Sequence, residues 1–551
     1  MKDISNMRYP ACQHAVASPS GKYVASLTQQ HLHVQHAVSL ASVHTFPLDA
    51  DTPKANTFTI HWSSKSSRIL LLHPEVVLVF SLQDSTSKAR ITNGSGGLGK
   101  IALAELLGEN EREQVMVVWE FGRVTLWDLA TGKATEIGDA KTPRSWAVRR
   151  QAGKTEVLAI ISRTAAQDVL TIYLPPSTTP LTTATLPTLD AQSLTWSPSG
   201  HWLAILDTPL TTPSLHVYTA SGQPFRAHPH PTHAVPDDLA TGPRALAWSD
   251  PALALASNDH VDLLTTRTFT PTTTFSTALP PLSGWQEQLD ARGGRSYKYV
   301  SGAHAMPVPT TTTTTATKTA IPTATPAPVN PTISFNPRAT HLAHLSPSHP
   351  SSISIYALQG SGGGAPTRTV LLTHSAVRRA LWHPSRAGTL LVLGEDGGVV
   401  VWDVCGDDAA PMVVEHGLAG PVDARWICPP TTPAATAEGE AKPEPEQKLG
   451  LLITSRRRGW CIVWPEGRPA VLDEAPSDLH EGRETPIPGP GADGSDDSLY
   501  DILTGRTPLP ALGGRGRDLE EETGRLDESE RLEDTFREKR GMVGEDDSEI
   551  F

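Results

Sequence analysis

The chain has 551 residues and a formal net charge of −13. Its four cysteines are far apart, which excludes a disulfide-rich framework and a cysteine-based zinc site; they are Cys12, Cys405, Cys428 and Cys461. The chain starts without a secretory pattern, and its most apolar stretch, at 69–82, is broken by His73-Pro74-Glu75 and is too short to cross a bilayer. We therefore expect a soluble intracellular protein.

The negative charge is concentrated at the C-terminal end. Residues 473–551 contain 23 acidic and 9 basic side chains, a net charge of −14, so the rest of the chain is close to neutral at +1. Such a tail repels nucleic acid and anionic membranes, and no basic stripe with interleaved aromatic residues offsets it. We therefore expect no nucleic acid and no membrane among the partners.

One pattern recurs along the chain, namely two strand-forming segments joined by a tight turn. At 194–207, "LTWSPSGHWLAILD", alternating apolar residues precede a Ser-Pro-Ser-Gly sequence of type I turn order, and an apolar run follows. Equivalent positions are 41 to 52 residues apart, except for one step of 87. Similar segments start at Ala15, Ile60, Lys100, Ser145, Ala245, Ile333, Ala380 and Val422.

A period of about 40–45 residues with several short strands per unit is typical of a β-propeller. Tryptophan recurs at the first-strand position, as Trp62, Trp146, Trp196, Trp248, Trp382 and Trp426. The third strands carry the dipeptides Trp127-Asp128 and Trp402-Asp403, and Trp464. The sequence thus predicts an all-β, WD40-type propeller of about nine units, either one large ring or two packed partial rings.

The regions outside the repeats define the predicted domain organisation. Units one to six occupy 11–266 and units seven to nine occupy 332–472. The Thr/Pro-rich stretch 267–331 is predicted to be a disordered insertion, as is the loop 429–448 inside the last unit. Residues 473–551 are predicted to form an acidic disordered tail with a short solvated helix at 517–540.

Within this tail, apolar side chains stand among acidic ones at 496–505, "DDSLYDILTG". They are Leu499, Tyr500, Ile502 and Leu503. Such a segment is either a short linear motif that folds on a partner or an unbound stretch with incidental apolar residues. The sequence leaves both readings open.

The search for a catalytic or ligand site yields only weak matches. "GSGGLGK" at 94–100 has the spacing of a phosphate loop, but Ile101 stands where Ser or Thr must hold magnesium, so a loop between units is favoured. The histidines at 31–36 and 228–233 lack a carboxylate or cysteine at useful spacing. No Ser/His/Asp triad stands out. We expect a non-enzymatic binding platform without catalytic residues, cofactor or metal.

The order of the units resembles the WD-repeat protein eight family, the spindle-pole and centrosome anchoring WD-repeat proteins. The stretches that carry it are "SPSGKYVASLTQQHLHVQ", "GSGGLGKIALA", "LTWSPSGHWLAILDT", "LHVYTASGQPF", "SYKYVSGAHAMPVP" and "SAVRRALWHPSRAGTLLVLGEDGGVVVWDV". The resemblance covers most of 11–465. The threonine run, the loop 429–448, the acidic tail and a seventh unit without tryptophan depart from it.

The resemblance implies a fungal adaptor at the microtubule-organising centre, the spindle pole body, that helps to anchor microtubule minus ends and assemble the mitotic spindle. The implied partners are a coiled-coil spindle-pole anchoring protein and a minus-end-directed kinesin. Microtubule contact is expected to be indirect, because tubulin and the tail are both acidic. The alternative is a propeller-containing translation initiation factor that binds the ribosome, although an acidic end disfavours it.

Overall fold

The computed structural model describes residues 3–4 and 15–468. Gaps lie at 50, 55–56, 85–86, 94–96, 109–112, 152–154, 211–213, 229–241, 259, 278–282, 292–293, 302–331, 359–367, 407–409, 419, 429–447 and 456–458. The chain divides into two units, 1–472 and 473–551. Because the described residues end at 468, the predicted tail motif at 496–505 and the predicted helix at 517–540 lie outside them. In the part of the chain that is described, no helix is long and apolar enough to span a membrane.

Nine sheets, antiparallel except for one parallel pair in blade seven, follow one another along the described part of the chain. We call them blades one to nine, and each corresponds to one predicted unit. The first strand of the chain, β1 (Asp3–Ile4), belongs to blade nine. Blades one to three comprise β2 (Ala15–Ala17), β3 (Tyr23–Leu27), β4 (His31–His36) and β5 (Ser42–Pro47); β6 (Thr59–Trp62), β7 (Arg68–Leu72), β8 (Val76–Ser81) and β9 (Lys88–Thr92); and β10 (Ile101–Leu107), β11 (Gln114–Trp119), β12 (Arg123–Asp128) and β13 (Ala134–Asp139).

Blades four to six repeat the same four-stranded order. They comprise β14 (Trp146–Arg149), β15 (Val157–Thr164), β16 (Gln167–Tyr173) and β17 (Pro180–Thr185); β18 (Ser193–Trp196), β19 (Trp202–Leu206), β20 (Leu215–Thr219) and β21 (Pro224–His228); and β22 (Ala245–Trp248), β23 (Ala252–Ala256), β24 (His260–Thr265) and β25 (Pro271–Ser276).

Blades seven to nine complete the set, and blade seven has two extra strands. These blades comprise β26 (Ser283–Leu289), β27 (Arg295–Ser301), β28 (Thr332–Phe335), β29 (His341–Leu345), β30 (Ser352–Ala357) and β31 (Arg368–Leu372); β32 (Val377–Trp382), β33 (Thr389–Gly394), β34 (Val399–Asp403) and β35 (Met412–Val413); and β36 (Val422–Ile427), β37 (Gly450–Ser455) and β38 (Gly459–Trp464) with β1.

The strand–turn–strand reading of 194–207 is confirmed, and its turn shows why these residues form hairpins. The Gly200 N–H donates to the Ser197 carbonyl over 2.9 Å, and Gly200 adopts a φ of 67° that favours glycine. The Ser197 hydroxyl also accepts the Trp202 N–H at 3.1 Å, and Ser18 and Ser63 do the same in blades one and two. The serine therefore fixes the turn from inside.

The apolar core consists of nine clusters, each of which joins two consecutive blades. Leu27 and Phe46 of blade one, for example, pack with Ile69 and Phe80 of blade two. Each such side chain stabilises the fold by about 1.5–3 kcal/mol when it leaves water. The remaining clusters join blades two to nine in the same way, pair by pair.

The chain forms one closed ring of nine blades, which decides between the two arrangements that the sequence left open. Val24 of blade one packs with Trp460 and Ile462 of blade nine. The ring is also closed by the backbone, because Asp3 pairs with Trp464 and Ile4 with Val463. Blade nine therefore includes residues 3–4, which lie before residue 11, the predicted start of the repeats.

The predicted disorder of 267–331 is wrong for two parts of that stretch. Pro271–Ser276 is the outer strand of blade six, and β26 (Ser283–Leu289) forms a hairpin with β27 (Arg295–Ser301) and pairs in parallel with β31. The hairpin is ordered because Trp285 and Tyr297 pack on the cluster between blades seven and eight. The threonine run, within 302–331, and the loop 429–447 lie outside the described residues.

Candidate functional site

The first strands of the blades lie towards the ring axis, and several contact the first strand of the next blade, namely β2 with β6, β14 with β18, β22 with β28 and β28 with β32. Tryptophans at the end of these strands bind the preceding blade through their indole N–H groups. Trp196 donates to the Ala147 carbonyl at 3.2 Å and Trp426 donates to the Leu381 carbonyl at 3.1 Å. The same contact is made by Trp62 to Val16, Trp248 to the Thr195 hydroxyl and Trp382 to Ser334. We call this contact the tryptophan clasp.

Trp146 does not make the clasp. It begins β14, opposite Ile160, and donates to the Pro143 carbonyl of the segment just before its own strand. Arg149 ends this strand, and its guanidinium lies over the Trp196 ring at 5.9 Å. The repeat pattern alone aligned Trp146 with Trp196, but the residue at the corresponding position is Arg149, which pairs with Val157 as Trp196 pairs with Leu203.

The Trp-Asp dipeptides stabilise individual blades. Trp127 donates to the Thr125 hydroxyl at 3.1 Å, and Trp402 is fully buried. The Asp128 carboxylate accepts the N–H groups of Ala130 and Thr131, each at 2.9 Å, and Asp403 accepts the Cys405 N–H at 3.1 Å. These aspartates cap the turn after the third strand, which is a structural role.

The described residues of two weak ligand motifs take part in structural contacts, whereas residues 94–96 and 229–233 lie outside the described part of the chain. "GSGGLGK" connects β9 to β10, as predicted, and its Lys100 N–H donates to the Glu120 carboxylate at 3.1 Å. His33 contacts the hydroxyls of Thr28 and Thr45. Among the described residues, no three His, Cys, Asp or Glu side chains are grouped as a metal site would require.

A cysteine–histidine pair that the sequence did not indicate lies between blades eight and nine. The Cys428 Sγ is 3.5 Å from the Nε2 atom of His383. Burial raises the pKa of Cys428 to about 11 and lowers the pKa of His383 to about 4, so both are neutral near pH 7. The His383 Nδ1 atom accepts the N–H groups of Ser385 and Arg386. The pair therefore lacks the thiolate that a nucleophile needs.

Three exposed apolar side chains lie in loops at the same end of the ring. The turn between second and third strands and the connection to the next blade share this end, because the strands alternate in direction; we call it the loop face. Over blades three to five it carries Phe121, Leu189 and Leu210, which are 75%, 65% and 79% exposed. We call these three residues the apolar loop cluster.

Two buried carboxylates fix the connection that carries Leu189. Asp168 of β16 accepts the Ala191 N–H at 2.7 Å and the Thr188 hydroxyl at 3.1 Å. From the other side, Asp207 accepts the Leu189 N–H at 2.9 Å and the Asp190 N–H at 2.8 Å. Burial of an ionised carboxylate is costly unless it is paired and hydrogen-bonded. These hydrogen bonds offset part of that cost and fix the backbone at Leu189, while the Asp168 Oδ1 atom, which accepts no hydrogen bond, lies 3.5 Å from Arg163.

Lys141 links this connection to neighbouring loops. Its ammonium group, which is largely buried, lies 3.0 Å from Asp168 and 2.5 Å from Asp190. Its hydrogen bond and charge hold the pKa of the Asp190 carboxyl below its usual range, with Arg163 contributing. Arg163 also pairs with Asp190, so two cations face two carboxylates here, and Leu189 stands beside partly exposed charged groups.

The Phe121 turn is braced by the same set of loops. The Glu120 N–H donates to the Lys100 carbonyl at 2.8 Å, and the Gly122 carbonyl accepts the Ala140 N–H at 2.7 Å. Ala140 precedes Lys141, so hydrogen bonds connect the Phe121 turn, the Leu189 connection and the Asp207 turn that leads to Leu210. The cluster is thus a preorganised surface across three blades. A sequence scan had little chance of finding it, because its supports come from four separate segments.

Comparison with known proteins gives a WD-repeat relative and propeller structures. No protein-family model matches the chain. An uncharacterized WD repeat-containing protein of Schizosaccharomyces pombe is 25% identical over 224 residues, which is 39% of this chain and 44% of that protein. The chain therefore matches less than half the length of this relative. The similarity supports the WD-repeat class. The finer family resemblance stays a prediction.

Solved structures are similar only at low identity. A eukaryotic initiation factor is 14% identical with a TM-score of 0.46, covering 74% of this chain and 88% of that one. The WD40 domain of SCAP from fission yeast is 7% identical with a TM-score of 0.43, covering 85% and 98%. Saccharomyces cerevisiae Sqt1 is 10% identical with a TM-score of 0.42, covering 83% and 97%. The fold assignment therefore rests on the strand pairing of this chain.

Proposed function

We propose that the chain is a non-enzymatic scaffold that binds protein partners through the apolar loop cluster. The observation that carries this proposal is Leu189, an exposed leucine on a backbone held by Asp168 and Asp207. An apolar group on a preorganised loop loses little conformational entropy on binding. Exposed apolar patches on soluble proteins typically mark interaction sites.

We further propose that the scaffold acts in the cytoplasm at the spindle pole body and helps to anchor microtubule minus ends during spindle assembly. The support is the order of the repeat units and the resemblance drawn from it. The partners would be a coiled-coil spindle-pole anchoring protein and a minus-end-directed kinesin, with microtubules contacted through them. The alternative is a propeller-containing translation initiation factor that binds the ribosome, which the acidic residues 473–551 disfavour.

The test combines imaging with partner capture. The tagged full-length protein is expressed at its native level beside a spindle-pole marker, and bound proteins are identified from the same cells. Leu189→Asp should abolish both pole foci and partner recovery, while the unfolding midpoint stays unchanged. Leu181→Asp is the matched control, because Leu181 is also an exposed leucine but lies on the outer strand β17.

The outcomes separate the proposals. Full partner recovery by Leu189→Asp would contradict the docking surface. A diffuse or ribosome-like signal of the unmodified protein would contradict the spindle-pole role and favour the initiation-factor alternative. Sedimentation of the purified protein with microtubules at physiological salt would contradict indirect microtubule contact.

A further inference from the structure

The strands around the ring axis are basic although the chain as a whole is acidic. The nine first strands carry four arginines and two carboxylates: Arg149, Arg378, Arg379 and Arg425 against Glu105 and Asp423. Three of these arginines and Asp423 lie on β32 and β36, the first strands of blades eight and nine. The positive charge is therefore concentrated on one side of the ring opening.

One carboxylate is shared between two guanidinium groups at this place. The Asp423 carboxylate lies 3.6 Å from Arg378 and 3.7 Å from Arg379, whose side chains are 39% and 41% exposed. Arg378 also donates to the Val422 carbonyl, which fixes it across the two blades. Asp423 cannot neutralise both cations, so a net positive charge remains.

Arg425 adds a third cation on the same side. It is exposed and lies two residues after Asp423 on β36, so both side chains project from the same face of the strand. Arg425 acts electrostatically on His61 of blade two. Burial is the main cause that lowers the pKa of His61, and the positive charge of Arg425 lowers it further. Glu105, also near His61, is paired with Arg150 at 2.7 Å. Arg425 therefore faces the ring opening.

We propose that Arg378, Arg379 and Arg425, which we call the arginine wall, bind an acidic, extended peptide segment of a protein partner. Guanidinium groups match carboxylates with paired hydrogen bonds, and partly exposed arginines keep donors available for them. A peptide fits better than nucleic acid, because tight nucleic-acid binding uses about six to ten phosphate contacts and the wall offers three cations around a carboxylate. This surface is separate from the apolar loop cluster.

The experiment measures peptide binding to the full-length protein by fluorescence anisotropy. A labelled polyglutamate peptide should bind, and a polyglutamine peptide of equal length should not. Binding should weaken when salt rises from about 0.1 M to about 1 M, which shortens the Debye length from about 10 Å to about 3 Å. A labelled oligouridylate tests the nucleic-acid alternative.

Charge reversal then locates the site. Arg425→Glu should weaken polyglutamate binding about tenfold, which corresponds to about 1.4 kcal/mol. Arg267→Glu is the matched control, because it makes the same charge change at an exposed turn of blade six and should leave affinity unchanged. Should Arg425→Glu lower the unfolding midpoint, Arg379→Gln replaces it, since Arg379 lacks the bond to Val422. Any of three results would overturn the proposal. These are an equal loss of polyglutamate affinity in the test and control variants, no binding of polyglutamate to the unmodified protein, and tighter binding of oligouridylate than of polyglutamate.

Discussion

The seam between blades four and five and the seam between blades eight and nine are built from the same repeat but are held differently. Both contain a tryptophan clasp, from Trp196 and from Trp426. At the loop face, the first seam adds the buried carboxylate of Asp168 with the ammonium of Lys141.

The second seam has a buried neutral histidine instead, and it lies at the opposite end of the ring, in the turn between β32 and β33. His383 is fully buried, its ring packs edge-on against Trp426 with centroids 4.8 Å apart, and it contacts Cys428. The charged pair of this seam, Arg386 with Glu466, is partly exposed. The comparison shows that one repeat can be joined by buried ions or by buried neutral polar groups, and the two solutions should respond differently to mutation and pH.

The largest effect is expected from the buried carboxylate. Asp168→Ala should lower the free energy of unfolding by about 3–5 kcal/mol, because it leaves the Lys141 ammonium buried without that partner. Asp190→Ala removes the exposed partner of the same lysine and should cost less than about 1 kcal/mol. Urea unfolding of both variants measures the difference, and equal losses would contradict a special role for burial.

The next effect should appear as acid sensitivity of the seam between blades eight and nine. The pKa of His383 is lowered to about 4 from its usual 6.5. Below pH 6.5 the unfolded chain takes up a proton that the folded chain refuses, so stability falls as pH falls from 6.5 towards 4. The loss should reach about 2 kcal/mol by about pH 5.

His383→Asn tests this assignment. Asn336 occupies the corresponding turn of blade seven and accepts the N–H groups of Thr340 and His341 there, so asparagine suits the site. The variant should show a flatter stability profile between about pH 7 and pH 5, since its side chain does not titrate. An unchanged slope in urea unfolding at several pH values would refute the link to His383.

A smaller effect is expected from the tryptophan clasp, and it should be equal in both seams. Trp196→Phe and Trp426→Phe each remove one indole donor and leave a carbonyl without it. Each should lower the free energy of unfolding by about 1–2 kcal/mol. A difference well above about 1 kcal/mol between the two variants, in the same urea assay, would mean that the clasp depends on its seam.

The smallest effect on stability is expected at the exposed residue of the apolar loop cluster. Leu189→Ala should change the free energy of unfolding by no more than about 0.5 kcal/mol, as for most surface positions. Leu186→Ala lies on the same connection but removes a buried side chain, and should cost about 2–5 kcal/mol. Thermal unfolding of both variants measures the contrast, and similar losses would show that Leu189 stabilises the fold.

Much of the fold could be predicted because its signals are local. One hairpin is predicted within fourteen residues by Trp196, the Ser197–Gly200 turn and the apolar run after it, and this pattern repeats along the chain. Prediction failed where pairing partners are distant: Trp285 and Tyr297 looked like parts of a disordered insertion because the surface that orders them belongs to blades seven and eight. Trp146 was misplaced because the register of β14 depends on its pairing with β15.

The candidate site was less predictable than the fold. Phe121, Leu189 and Leu210 are ordinary apolar residues in sequence, and nothing local distinguishes them from core residues. The role of Leu189 depends on Asp168 and Asp207, which come from other segments and hold its backbone, and on Lys141, which binds Asp168.

By itself, the sequence determined that the chain builds repeated strand–turn–strand units, because side-chain alternation and turn chemistry act over a few residues. The tertiary structure alone decided that nine units close into one ring, with Asp3 and Ile4 pairing on blade nine. It also decided which loops are held rigid and which arginines face the ring opening. Those features depend on contacts between residues that are far apart along the chain, and such contacts leave no periodic trace in the sequence.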